Sequence, residues 1–122
     1  MTALHLAAAL AVMAAAGHSI LSERLFLRRL RREAPGTGVL TDRVGKRLVV
    51  AMFHMASLCW VTLALSTLWL EPGGDGYGRV LHLYAGVYVI SGLGNFWAVG
   101  RPHPGGVLLL SAGALILVAQ HT

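Results

Sequence analysis

The sequence predicts an all-α integral membrane protein: a four-transmembrane-helix antiparallel bundle with a basic interfacial helix after the first span. Three observations predict it. Of 122 residues, 56% are hydrophobic and 12% are charged, about half the charged share of a soluble domain. The apolar residues gather into four runs, 3–22, 48–70, 79–99 and 105–121, each near the roughly 20 residues that cross about 30 Å of hydrocarbon. The net charge of +5 is concentrated in one loop. The whole chain, 1–122, reads as one membrane domain.

The first run has no basic stretch before it, and its polar flank follows it, so it reads as a retained helix rather than a cleaved signal peptide. Ala7, Ala11, Ala15, His18 and Ser22 form a stripe along one face. The segment 23–33 continues the helix. Leu25, Phe26, Leu27 and Leu30 alternate there with Arg24, Arg28, Arg29, Arg31 and Arg32, a pattern that lays a helix along the interface with its arginines among lipid headgroups. Ala34-Pro35-Gly36-Thr37-Gly38 breaks it. Thr41 or Asp42 is placed to cap the second long helix.

That second run holds His54, Ser57, Trp60 and the single cysteine, Cys59, which reads as a small buried apolar residue. Glu71-Pro72-Gly73-Gly74-Asp75-Gly76 is a short turn. The third run carries Tyr84, Tyr88, Ser91 and Asn95 at i, i+4, i+7 and i+11, a stripe that should face the polar interior of the bundle. Gly100-Arg101-Pro102-His103-Pro104-Gly105 then turns the chain into the fourth run, where Gly106, Gly113 and Gln120 recur every seven residues. His103 reads as an ordinary loop histidine. His5, His82 and His121 lie toward the opposite ends of their helices, where headgroups and water can solvate them.

Charge sets the orientation. Arg24, Arg28, Arg29, Arg31, Arg32, Arg43, Lys46 and Arg47 share the first loop, Arg101 lies on the same side, and only Arg79 lies opposite. This bias puts the basic side in the cytoplasm and both termini across the membrane. Attraction to anionic headgroups explains the basic loop without invoking nucleic acid.

Counting from the basic boundary exposes a shared layer. His18 is six residues before Arg24, His54 seven after Arg47, and Asn95 six before Arg101, which places each about 9–10 Å from the boundary at 1.5 Å per residue. His18 and His54 therefore read either as packing residues that hydrogen-bond a neighbouring helix or as one intramembrane site. Two imidazoles at one depth could ligate a b-type haem, and with Glu23 they could hold a transition metal. The sequence holds no HExxH, paired intramembrane carboxylates, Walker loop or GxGxxG, which argues against hydrolytic and nucleotide chemistry.

"GHSILSER" with the arginines after it, "FHMASLCW" and "GRPHPGG" together resemble a group of small, uncharacterised bacterial four-helix membrane proteins with an AHSxLGER-like segment. Ser22 stands where that pattern has glycine, and Phe53 stands before His54 where tryptophan is common. The resemblance implies the fold and a bacterial inner-membrane location, carries no established activity, and draws attention to His18, Glu23 and His54.

The leading functional expectation is a non-enzymatic subunit or assembly partner of a membrane complex. It would contact anionic lipid and either other membrane subunits or further copies of itself. The alternatives are a haem- or metal-binding redox protein using His18 and His54, and a proton or small-solute pathway along the tyrosine stripe.

Overall fold

The computed structural model describes residues 2–32, 43–74 and 76–120. Thr41, Asp42, the 34–38 break and His121 lie outside the described residues. The protein is helical, with no strand among the described residues. Helix α1 (Ala3–Leu21) runs into a π-helical turn (Ser22–Leu27) and then α2 (Arg28–Arg32). Helix α3 (Arg43–Trp69), α4 (Tyr77–Val99) and α5 (Pro104–Ala119) follow. Among the described residues, the helical stretches Ala3–Leu27 and Val44–Trp69 are long and apolar enough to cross a membrane, and α5 is apolar but spans 16 residues.

Local chemistry sets several boundaries. Thr2 caps α1 by accepting from the His5 backbone N–H. The cap residues on either side of the π turn keep right-handed helical dihedrals, and the Arg28 N–H bonds the Glu23 carbonyl one residue further back than in an α-helix. The basic segment is thus a direct extension of α1. Gly76 and Gly100 bracket α4 in left-handed conformations, with φ of 87° and 70°, which glycine adopts without a Cβ clash. His103 opens α5: its Nδ1 accepts from the Gly105 N–H, and Pro104 supplies the first-turn proline.

The four long helices form a closed antiparallel ring. α1 packs against α3 and α5, and α5 packs against α4, whereas α3 and α4 approach less closely. Small residues make the tight contacts. Ala7, Ala8, Ala11, Ala14 and Ala15 are buried on α1, opposite Leu109, Ala112 and Ile116 of α5 within one core. The α4–α5 pair depends on glycine. A Cβ at Gly92 would lie 2.9 Å from the Gly106 carbonyl oxygen, and one at Gly113 would lie 3.1 Å from the Ala85 carbonyl oxygen. The two backbones approach as closely as small-residue helix packing allows.

The α3–α4 side is closed by long polar-tipped side chains. Trp60 Nε1 donates to Ser91 Oγ at 3.1 Å, and the Tyr88 hydroxyl donates to the Trp60 carbonyl at 3.0 Å. The hydroxyls of Ser66 and Tyr84 pair at 3.1 Å. Outside this ring the surface is apolar: Met52, Met55, Leu58, Leu83, Ile90 and Trp97 are all exposed. Cys59 is exposed as well, which corrects the expectation that it is buried. It shares the outward face of α3 with Met52 and Met55, while Ser57, Trp60 and Ala64 occupy the inward one.

Candidate functional site

The polar side chains converge where α1, α3, α4 and α5 meet near the basic boundary. His18, half-buried on α1, reaches α3 through two rings. It stacks on Phe53 with centroids 5.8 Å apart and planes 17° apart, and it meets Trp60 edge-on at 5.2 Å and 70°. The ring also lines a small cavity of about 90 Å³, which Trp60 lines as well. Asn95, His103, Gly105 and Leu108 are among the residues that complete its wall. Asn95 donates from Nδ2 to the Ser91 carbonyl at 2.8 Å.

His54 occupies a different place. Exposed on α3, it lies with Nδ1 3.4 Å from Ser19 Oγ, and Ser19 in turn donates to Ser57 Oγ at 2.9 Å. A hydroxyl has one proton. With that proton on the Ser57 bond, Ser19 Oγ is left as the acceptor for the His54 tautomer that carries its hydrogen on Nδ1. His54 lines an open groove of about 350 Å³ together with Ser19, Ile20, Glu23, Arg24 and Arg28.

The two histidines are thus neighbours in layer and in helix pair, yet they line separate spaces. His18 faces the α4–α5 end of the bundle, and His54 faces the outer α1–α3 seam. Glu23 accompanies His54. Among the described residues, no three or more His, Cys, Asp or Glu side chains come together as a set that could hold a metal ion. The expected His18–His54–Glu23 ligand set is therefore not assembled. The haem arrangement fits poorly for a related reason: the ring partners of His18 on α3 are Phe53 and Trp60, and the cavity beside it is far below the roughly 300 Å³ at which cofactor sites begin.

Tyr84, Tyr88, Ser91 and Asn95 all turn toward the ring interior. Tyr88 is the most buried, and the first three bond to α3. Of the arginines assigned to headgroups, Arg24, Arg28, Arg29 and Arg32 are exposed, while Leu27 among them is fully buried. Phe26 packs on Phe53 with centroids 5.3 Å apart, which ties the basic extension to α3.

Two residues entered the site without being assigned to it from sequence. Trp60, which the sequence shows only as a member of the second run, is the hub joining His18, Ser91 and Tyr88. His103, an ordinary loop histidine by sequence, caps α5 and lines the cavity with His18. The signal for His103 was its place directly before Pro104, an N-cap position.

No protein-family model, curated protein or solved structure matches this chain.

Proposed function

We propose that this protein is an integral four-helix membrane bundle that acts as a non-enzymatic subunit or assembly partner of a membrane complex. Support for the bundle comes from its inverted polarity. Hydroxyls, the indole N–H and the carboxamide bond within the ring, and large apolar side chains cover the outside. Lipid selects for this distribution, because a polar group facing hydrocarbon goes unsatisfied.

The association reading rests on one observation, the outward face of α4. Ile90, Gly94, Trp97 and Ala98 are all exposed there, and a Cβ built at Gly94 meets nothing within 4 Å. Gly92, two positions away, is consumed by contact with α5. The Gly94-x-x-x-Ala98 notch is therefore a small-residue surface that this chain's own helices leave unused, of the kind that lets a second helix approach.

The test is the size of the detergent-extracted protein beside that of the Gly94→Leu/Ala98→Leu variant. An assembly in the parent chain that the variant dissociates to a monomer supports the reading. A monomeric parent chain with no co-purifying partner overturns it. The haem alternative has less support, because His18 and His54 line separate spaces. No observation favours a solute pathway.

A further inference from the structure

We infer that the groove formed by Ser19, Ile20, Glu23, Arg24, Arg28 and His54 is a binding site for the headgroup of an anionic phospholipid. The inference rests on the proposed membrane insertion and goes beyond it, because general attraction of the basic loop to a membrane surface requires no particular groove.

Three features converge on this spot. First, Ser19, Ile20, Glu23, Arg24 and Arg28 recur along one side of α1 and its extension, and the π turn Ser22–Leu27 carries Glu23 and Arg24 within it. Single π turns inside α-helices are frequently found at functional sites. Second, α3 closes the other wall with His54, which the Ser19 contact holds at 3.4 Å. The groove is thereby built between two helices rather than along a solvated arginine row. Third, the charge matches. Arg24 and Arg28 are exposed guanidiniums, and Glu23 is the acid beside them. Glu23 is itself already engaged in an interaction. Two guanidiniums and one carboxylate leave a single net positive charge, which complements the charge of one phosphodiester. Guanidinium donors suit phosphate oxygens through paired hydrogen bonds.

The position also suits a lipid more than a free ion. The groove lies at the boundary where the apolar surface gives way to the arginines. Ile20 in its wall and Met55 and Leu58 on the outward face of α3 are exposed apolar side chains beside it. Acyl chains attached to a bound phosphodiester would run over that apolar surface.

Native mass spectrometry of the full chain in detergent, titrated with phosphatidylglycerol, tests this. The Arg24→Gln/Arg28→Gln variant should lose at least about tenfold in affinity, the scale of one charge-assisted hydrogen bond. Arg32→Gln/Arg47→Gln removes the same charge from exposed positions outside the groove and should change affinity less than about twofold. Arg24→Lys/Arg28→Lys, which preserves charge and helix, should bind between the two. Equal losses in both Gln variants would overturn the site and leave only general attraction. Phosphatidylcholine binding as well as phosphatidylglycerol would also overturn it. Competition by inorganic phosphate at concentrations comparable to the lipid would reassign the groove to a free anion. Extraction of the protein from membranes by alkaline carbonate would show instead that the insertion reading had failed, whatever the groove binds.

Discussion

The Trp60 indole N–H on α3 donates to Ser91 Oγ on α4 across 3.1 Å, while the Trp60 carbonyl accepts the Tyr88 hydroxyl. One residue thus joins two helices whose backbones stay comparatively far apart. A double-mutant cycle with Trp60→Phe and Ser91→Ala should show a coupling of about 0.6 kcal/mol, and no more than about 1.7, the range for hydrogen bonds between membrane helices. Unfolding in mixed detergent micelles measures it. Strictly additive variants would mean that the bond contributes nothing.

The glycines of the α4–α5 pair are not equivalent to those on the outward face. A Cβ at Gly92 would lie 2.8 Å from Leu110 Cγ and 2.9 Å from the Gly106 carbonyl oxygen, and backbone cannot swing aside as a side chain can. Gly92→Ala should destabilise the bundle by about 1–3 kcal/mol, the usual cost of overpacking. Gly86→Ala meets nothing within 4 Å and should leave stability unchanged or raise it by up to about 1 kcal/mol, since alanine is the better helix former. The same unfolding assay compares them, and equal effects would refute the close approach of α4 and α5.

The two histidines should part company when truncated. His18 packs against both Phe53 and Trp60, and aromatic pairs contribute about 0.5–1.5 kcal/mol each. His18→Ala should therefore cost about 1–2 kcal/mol. His54 is exposed, and His54→Ala should fall within about 0.5 kcal/mol. An absorption spectrum of the same preparations checks the haem alternative: a Soret band abolished by either substitution would reinstate a shared site.

Orientation is open to direct labelling. In a Cys59→Ser background, a membrane-impermeant thiol reagent applied to intact cells should modify Gly74→Cys and spare Arg32→Cys. The basis is the concentration of basic residues on the Arg32 side. The reverse pattern would invert the topology and move the proposed lipid groove to the other leaflet.

Much of the architecture was legible in the sequence because it follows from local constraints. Apolar runs of roughly membrane length, a proline after His103 and glycines at 76 and 100 bear on helix existence and boundaries one segment at a time. The i, i+4, i+7, i+11 spacing from Tyr84 to Asn95 placed four polar groups on one face, since helical periodicity needs no knowledge of the neighbours. Position along the helix axes was equally accessible: counting from the arginines put His18, His54 and Asn95 at one level, because rise per residue is constant.

Azimuth and partner choice were decided only by tertiary structure. His18 and His54 share a level along the bundle, but rotation about α1 and α3 sends one toward Asn95 and His103 and the other toward Glu23 and Arg24. That rotation is set by packing. The buried alanines seat α1 against α5, and the stack of His18 on Phe53 and Trp60 gives its ring partners other than His54. The exposure of Cys59 and the central place of Trp60 have the same origin, because α3 turns Ser57, Trp60 and Ala64 inward and its neighbouring residues outward. A one-dimensional pattern carries period and depth, whereas which faces meet depends on the fit of whole helix surfaces.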